Sequence, residues 1–281
     1  MFLATGAELM SRLVFFPNKW ESGNIRGRQV ADAVGGVVNP CAVYKDDVCI
    51  FVKTVPSDRL LKHVRRVYID VVDNIGVFDW LDKHPTAGII AMGITAAKML
   101  SERFPNHDVV TIPEHHCNFE RETIPDVPPR TVGYIGASEC IHLSLESLRN
   151  AFRKAGLDFI WSHMFVKRRQ ACDFYKQTQI QISYRVDGLA HRDYMRLKCP
   201  LKVFNAASFG IPMVAYPEVS FVDEADGYFL PAYHPEQLIE GVLELVNNPD
   251  KYRALAEKGR LAAENYHIDK IAPLYKQLLD R

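Results

Sequence analysis

The segment Lys198–Tyr216, KCPLKVFNAASFGIPMVAY, carries the residues best suited to chemistry. A helix is predicted over Leu201–Phe209, which puts Lys202 in its first turn. A helix start offers unpaired backbone N–H groups and a partial positive charge, so a lysine there is unfavourable unless an anion offsets it. Cys199–Lys202 is therefore a candidate cradle for a diphosphate, with Lys202 adding a full charge. Gly210 permits the turn out of the helix, and Pro212 leads into a strand. Two further candidates lie in the first half. Asp73 follows the strand pattern VYIDVV, at the strand end where α/β clefts gather functional groups, and could serve as a base. His115, in IPEHHC, could accept a hydroxyl proton near neutral pH. Neighbours on an extended chain point to opposite sides, so His115, His116 and Cys117 are not expected to chelate one metal ion.

Bringing these residues together requires two α/β halves. Strands are predicted at Arg12–Phe16, Val48–Lys53, Val67–Val72 and Asp108–Ile112, with helices at Ile25–Val34 and Pro56–His63 between them. The apolar stretch Thr86–Met99 reads as a buried helix, too short to span a bilayer and interrupted by Lys98. Glu120–Arg130 holds three prolines and no apolar periodicity, which marks a linker. The pattern then restarts: strand Thr131–Ile135, helix Leu143–Ala155, strand Phe159–Phe165, strand Gln179–Tyr184, helix Leu201–Phe209, strands Pro212–Tyr216 and Gly227–Pro231, and closing helices broken at Asn248-Pro249 and His267. The expected fold is α/β, two Rossmann-like βαβ domains facing across a cleft. The expected division is 1–122, a linker at 123–130, a second domain at 131–267, and a last helix at 268–281.

The Lys198–Tyr216 segment resembles the donor-nucleotide segment of GT-B glycosyltransferases, in particular the retaining family 4 type. Pro200, Lys202, Gly210 and Pro212 stand as in that family's helix, and Asn205 replaces its glutamate. The resemblance implies an acceptor-side first domain and a nucleotide-sugar-binding second domain, with the last helix crossing back to the first. It implies a donor site formed from Gly136, Ser138, Tyr184, Arg185, Lys198, Lys202 and Asn205. The Arg and Lys that the family places after its opening strand are absent from GASECIHLS, so Lys198, Lys202 and Arg185 are the candidates to neutralise the diphosphate. The loop NKWESGNIRG, Asn18–Gly27, would lie over the cleft, where Trp20 could stack on a sugar or base.

The whole chain sets outer bounds. Its 281 residues carry 34 Lys plus Arg against 34 Asp plus Glu, which argues against binding through bulk charge. The six cysteines include no C-x-x-C pair, so reduced thiols are expected. There is no G-x-G-x-x-G after a strand and no P-loop, which removes dehydrogenases and P-loop NTPases. The start, MFLATGAELMSRLVFF, does not read as a signal peptide, and a cytoplasmic protein without an integral membrane segment is expected. The expected activity is metal-independent transfer of a hexose or pentose from a nucleotide sugar, with no resident cofactor, to a hydroxyl on a glycan, lipid or small molecule. The alternatives are a phage-type DNA base glycosyltransferase, for which Lys167-Arg168-Arg169 is the one basic run, and a catalytically silent binding protein of the same fold.

Overall fold

The computed structural model describes residues 11–163, 167–186 and 192–281. The first ten residues, and the end of the strand expected to reach Phe165, lie outside these. Two separate all-parallel sheets form, as the alternation of strand and helix patterns predicts.

The first sheet has the order β2-β1-β3-β4-β5-β6, with β1 Leu13–Pro17, β2 Val37–Val38, β3 Val48–Val52, β4 Arg66–Asp70, β5 Gly88–Ala91 and β6 Val109–Thr111. The strands Val48–Val52 and Gly88–Ala91 are buried throughout, as strands covered on both faces must be. That burial explains one correction. Thr86–Met99 is not one helix: Gly88–Ala91 is β5, and the helix α4 begins only at Ile94 and runs to Arg103. A short, wholly apolar run has no periodicity that separates a buried strand from a buried helix. The helix expected at Ile25–Val34 opens with a π-helical stretch, Gly23–Gln29, before α1 at Val30–Val34.

The second sheet has the order β11-β10-β9-β7-β8, with β7 Thr131–Ile135, β8 Asp158–Ser162, β9 Ile180–Ser183, β10 Met213–Ala215 and β11 Leu230–Pro231. After α2 Asp58–Leu61 and α3 Phe78–Lys83 of the first half, the second half carries α5 Leu145–Lys154, α6 Arg168–Tyr175, α7 Arg192–Arg196, α8 Leu201–Ser208, α9 Val219–Ala225, α10 Pro235–Asn247 and α11 Pro249–Ala263. α9 occupies the stretch between β10 and β11, for which the sequence predicts no element.

Each sheet reverses strand order once, between β1 and β3 in the first and between β7 and β9 in the second. Ligands of open parallel sheets bind at the carboxyl ends of the strands beside such reversals. The last helix, α12 Ile268–Lys276, packs Ile268, Ile271, Ala272 and Tyr275 against Leu13, Phe15 and Ile50 of the first sheet. Tyr275 also donates to Asp70 at 3.0 Å, so the end of the chain helps hold the buried Arg26–Asp70 pair. Among the described residues, no helix is long and apolar enough to cross a membrane.

Candidate active site

The carboxyl ends of β1, β3, β4, β7 and β9 surround two adjoining cavities of about 390 and 440 Å³. Glu21, Ile25, Leu201 and Lys202 border both, so the two are parts of one cleft. The smaller cavity brings His115, Gly136, Lys202 and Asn205 together, and the larger brings Asp73, Arg185, Lys198 and Lys202.

Lys202 stands in the first turn of α8, its ammonium 4.7 Å from the centre of the Tyr134 ring. Gly136 lies directly beneath it. With φ of +145°, this residue adopts a backbone that side chains avoid, and a Cβ there would come within 3.1 Å of the ammonium. Among the described residues, no carboxylate is within ion-pair distance of Lys202. Burial, reinforced by the nearby Arg185 cation, lowers its pKa to about 8. A half-buried cation with no ion pair among the described residues, at the start of a helix, is suited to binding an anion.

Three other cations of the cleft, Arg185, Lys198 and Lys53, are already paired. Arg185 is bound to the buried Glu218, and Lys198 is bound to Asp73 and lies 4.0 Å from the Tyr194 ring centre. Lys53 closes on the far side of Asp73 at 2.5 Å. Both neighbouring strands end in a left-handed residue, Lys53 at φ +57° and Val72 at φ +54°. The second is a strained position for a β-branched side chain. Burial pushes the Asp73 pKa up, but Lys198 and Lys53 outweigh it and hold the carboxyl at about 2. A carboxylate held there is a weak base, which does not suit the role expected of Asp73.

His115 is buried against the π-helical stretch. Nε2 lies 3.0 Å from the Ile25 carbonyl and Nδ1 lies 3.2 Å from the His116 carbonyl. Burial lowers its pKa to about 4, so the ring is neutral at pH 7 and both nitrogens face acceptors. Its position is that of a positioning group and not of a free base.

Three expectations for the donor site meet different surroundings. Ser138 is exposed, donates to Glu139 at 3.2 Å and is absent from the cavity wall, where Ala137 stands instead. The strand leads into a 3-10 turn that carries Ser138 outward. Tyr184 is buried in the core of the second sheet, its hydroxyl donating to the Tyr233 carbonyl at 3.0 Å. Asn205 does line the cavity, but its Oδ1 accepts the Cys117 N–H at 2.7 Å and its side chain also meets the Tyr175 hydroxyl. The residue that replaces the family's glutamate therefore joins α8 to the loop after β6.

Glu114 is the group that sequence reading missed. It is buried at the wall of the larger cavity, and Oε2 accepts from the Cys199 thiol at 3.1 Å. Burial raises its pKa, and the neighbouring Asp70 and Asp73 charges add to the rise against the pull of Arg26. Its only signal in the sequence is its place immediately before His115. Among the described residues, no group of three or more His, Cys, Asp or Glu could hold a metal ion.

No family model matches the chain. Over 141 residues it is 30% identical to an uncharacterized glycosyltransferase of Haemophilus influenzae, a match spanning 48% of this chain and 36% of that protein. The chain thus spans about a third of the length of the curated relative it matches. Among solved structures it is similar to HepE of Anabaena, crystallised with UDP and glucose, at TM-score 0.58 and 10% identity over 96% of this chain and 99% of that one. A glycosyltransferase from Rickettsia africae gives TM-score 0.59 and 10% identity over 97% and 98%. TarM of S. aureus, in a complex containing UDP, gives 0.57 and 12% over 83% and 55%. With two parallel α/β halves around a shared cleft, and similarity to HepE over nearly its whole length, the chain has the GT-B glycosyltransferase fold.

Proposed function

We propose that this protein transfers a sugar from a nucleoside diphosphate donor to a hydroxyl acceptor, in the cytoplasm and without a divalent cation. One observation carries the reading: the half-buried Lys202 ammonium at the start of α8, without an ion pair among the described residues, on the wall shared by both cavities. Together with the α8 N–H groups it would stabilise the charge that develops on the leaving diphosphate. The UDP complexes of HepE and TarM make a uridine donor the first to test. On this reading residues 1–122 take the acceptor, 131–267 hold the donor, 123–130 link them and 268–281 tie the end of the chain back.

The acceptor oxygen forms its bond to the sugar as the bond to the diphosphate breaks, and its proton goes to Glu114. In the larger cavity Glu114 is a buried carboxyl whose Oε2 accepts from the Cys199 thiol, and burial raises its pKa, which strengthens it as a base. Arg168 and Arg169 are paired with Glu120 and Glu122, which leaves Lys167 as the one cation of the expected basic run without an ion pair among the described residues, less than a DNA acceptor would need. A second reading, a silent binding protein, draws on the commitment of Asn205 to Cys117.

Thermal-shift titration with UDP, GDP and ADP, followed by donor turnover in EDTA, tests the proposal. A shift with turnover in EDTA is the expected result, and a shift without turnover under any acceptor supports the silent protein. Turnover that EDTA abolishes and Mg²⁺ restores would overturn the metal-free mechanism.

A further inference from the structure

Cys117 and Cys172 meet where the loop after β6 packs on α6. The Cys172 thiol donates to the Cys117 carbonyl at 3.2 Å. Arg168 lies 3.7 Å from the Cys172 sulfur and donates to the same Cys117 carbonyl at 2.6 Å. Cys117 lines the smaller cavity, within reach of a water-sized solute, and Cys172 is fully buried behind it. Cys117 is thus the accessible thiol, its pKa raised by the Cys172 side chain and by burial, and Cys172 lies against its carbonyl beside a guanidinium that favours a thiolate.

We propose that Cys117 and Cys172 form a peroxide-sensitive dithiol that closes to a disulfide in the wall of the cleft. The Cys117 sulfur attacks one oxygen of hydrogen peroxide, the O–O bond breaks, and Cys117 becomes a sulfenic acid as one water leaves. The Cys172 sulfur then attacks Cys117. The S–S bond forms, the S–O bond breaks, and the departing hydroxide takes the Cys172 proton as a second water. One peroxide is reduced to two waters, and two thiols are oxidised to one disulfide.

The bond would act on the cleft through Cys117 itself, whose N–H holds Asn205 and whose carbonyl holds Arg168. It replaces a thiol–carbonyl hydrogen bond with a covalent tie between α6 and the loop that carries His115. Because it closes a loop between positions 55 apart, it also restricts the unfolded chain. None of this depends on the sugar-transfer reading.

Peptide mapping of the full folded chain after graded hydrogen peroxide, with remaining thiols alkylated, tests the proposal. The expected product links the peptides carrying Cys117 and Cys172, is two hydrogens lighter than their sum, and is reversed by dithiothreitol. Tm rises on oxidation in the wild type and in Cys41→Ser, and this rise is lost in Cys172→Ser. If the exposed Cys41 is oxidised while Cys117 and Cys172 remain free or pair elsewhere, the proposal is wrong.

Discussion

Asp73 and Lys198 form an ion pair that joins the two halves of the molecule, Asp73 from the loop after β4 and Lys198 from the turn before α8. Lys53 holds the same carboxylate from the other side, at 2.5 Å. One carboxylate therefore spans two lysines at the floor of the cleft, with its pKa held at about 2 against 3.8 for an unconstrained aspartate.

The Asp73 clamp gives a pH signature. In the unfolded chain the carboxyl takes up its proton near 3.8, while in the folded chain it stays ionised to about 2. The stabilisation, about 2 kcal/mol, is complete above about pH 5 and is lost as pH falls toward 2. Urea unfolding should show Asp73→Asn less stable than wild type by that order at pH 7, with the gap closing between pH 5 and 2.

His115 has the opposite chemistry and adds to the acid sensitivity. Burial depresses its pKa from 6.5 to about 4, so below pH 6.5 the unfolded chain binds a proton that the folded chain refuses. Stability is therefore lost as pH falls from 6.5 to 4, by up to about 3 kcal/mol from this residue. A His115→Gln chain should show a flatter stability profile over that window in the same urea series.

Lys202 should matter for anions and not for folding. Lys202→Met removes a half-buried cation that has no ion pair among the described residues and whose charge burial disfavours, so Tm should hold or rise. Affinity for a nucleoside diphosphate should fall about ten- to a hundredfold, the worth of one charge-assisted hydrogen bond. In the wild type that affinity should weaken as pH rises through about 8, where the ammonium loses its charge. Calorimetric titration of UDP at pH 7 and 9 checks both, with the surface substitution Lys251→Ala as control.

Glu114 should separate binding from turnover. Glu114→Gln keeps the shape and an acceptor oxygen for Cys199, so the UDP thermal shift should match wild type. Turnover should drop by about a hundredfold or more, the usual contribution of a general base. Equal turnover in this variant would remove Glu114 from the mechanism and leave the donor site intact.

The buried pair Arg26–Asp70, at 2.7 Å, should be the most sensitive structural contact. Asp70→Asn leaves an uncompensated guanidinium and should cost about 3–5 kcal/mol. Tyr275→Phe removes only the neutral donor from α12 and should cost about 1 kcal/mol, as urea midpoints would show.

The sequence by itself determined the layout. The alternation of β-rich runs and helical spacing required two parallel α/β halves, and the proline-rich Glu120–Arg130 separated them. Pro200 to Lys202 marked a helix start whose dipole and lysine both call for an anion, because local chemistry decides those features. Sequence could not decide β5 at Gly88–Ala91, since a fully buried strand carries no alternation. Nor could it decide which polar residues of the cleft are free. Tyr184, Ser138 and Asn205 carry suitable side chains, yet one is spent in the core, one turns outward and one is taken by Cys117. Asp73 and Glu114 are both carboxylates near strand ends, and only their neighbours set them apart: two lysines hold the first at about 2, while burial among other acids raises the second. Those neighbours come from segments up to 125 residues away, so which carboxylate remains a usable base is a property of the folded cleft and not of any stretch of chain.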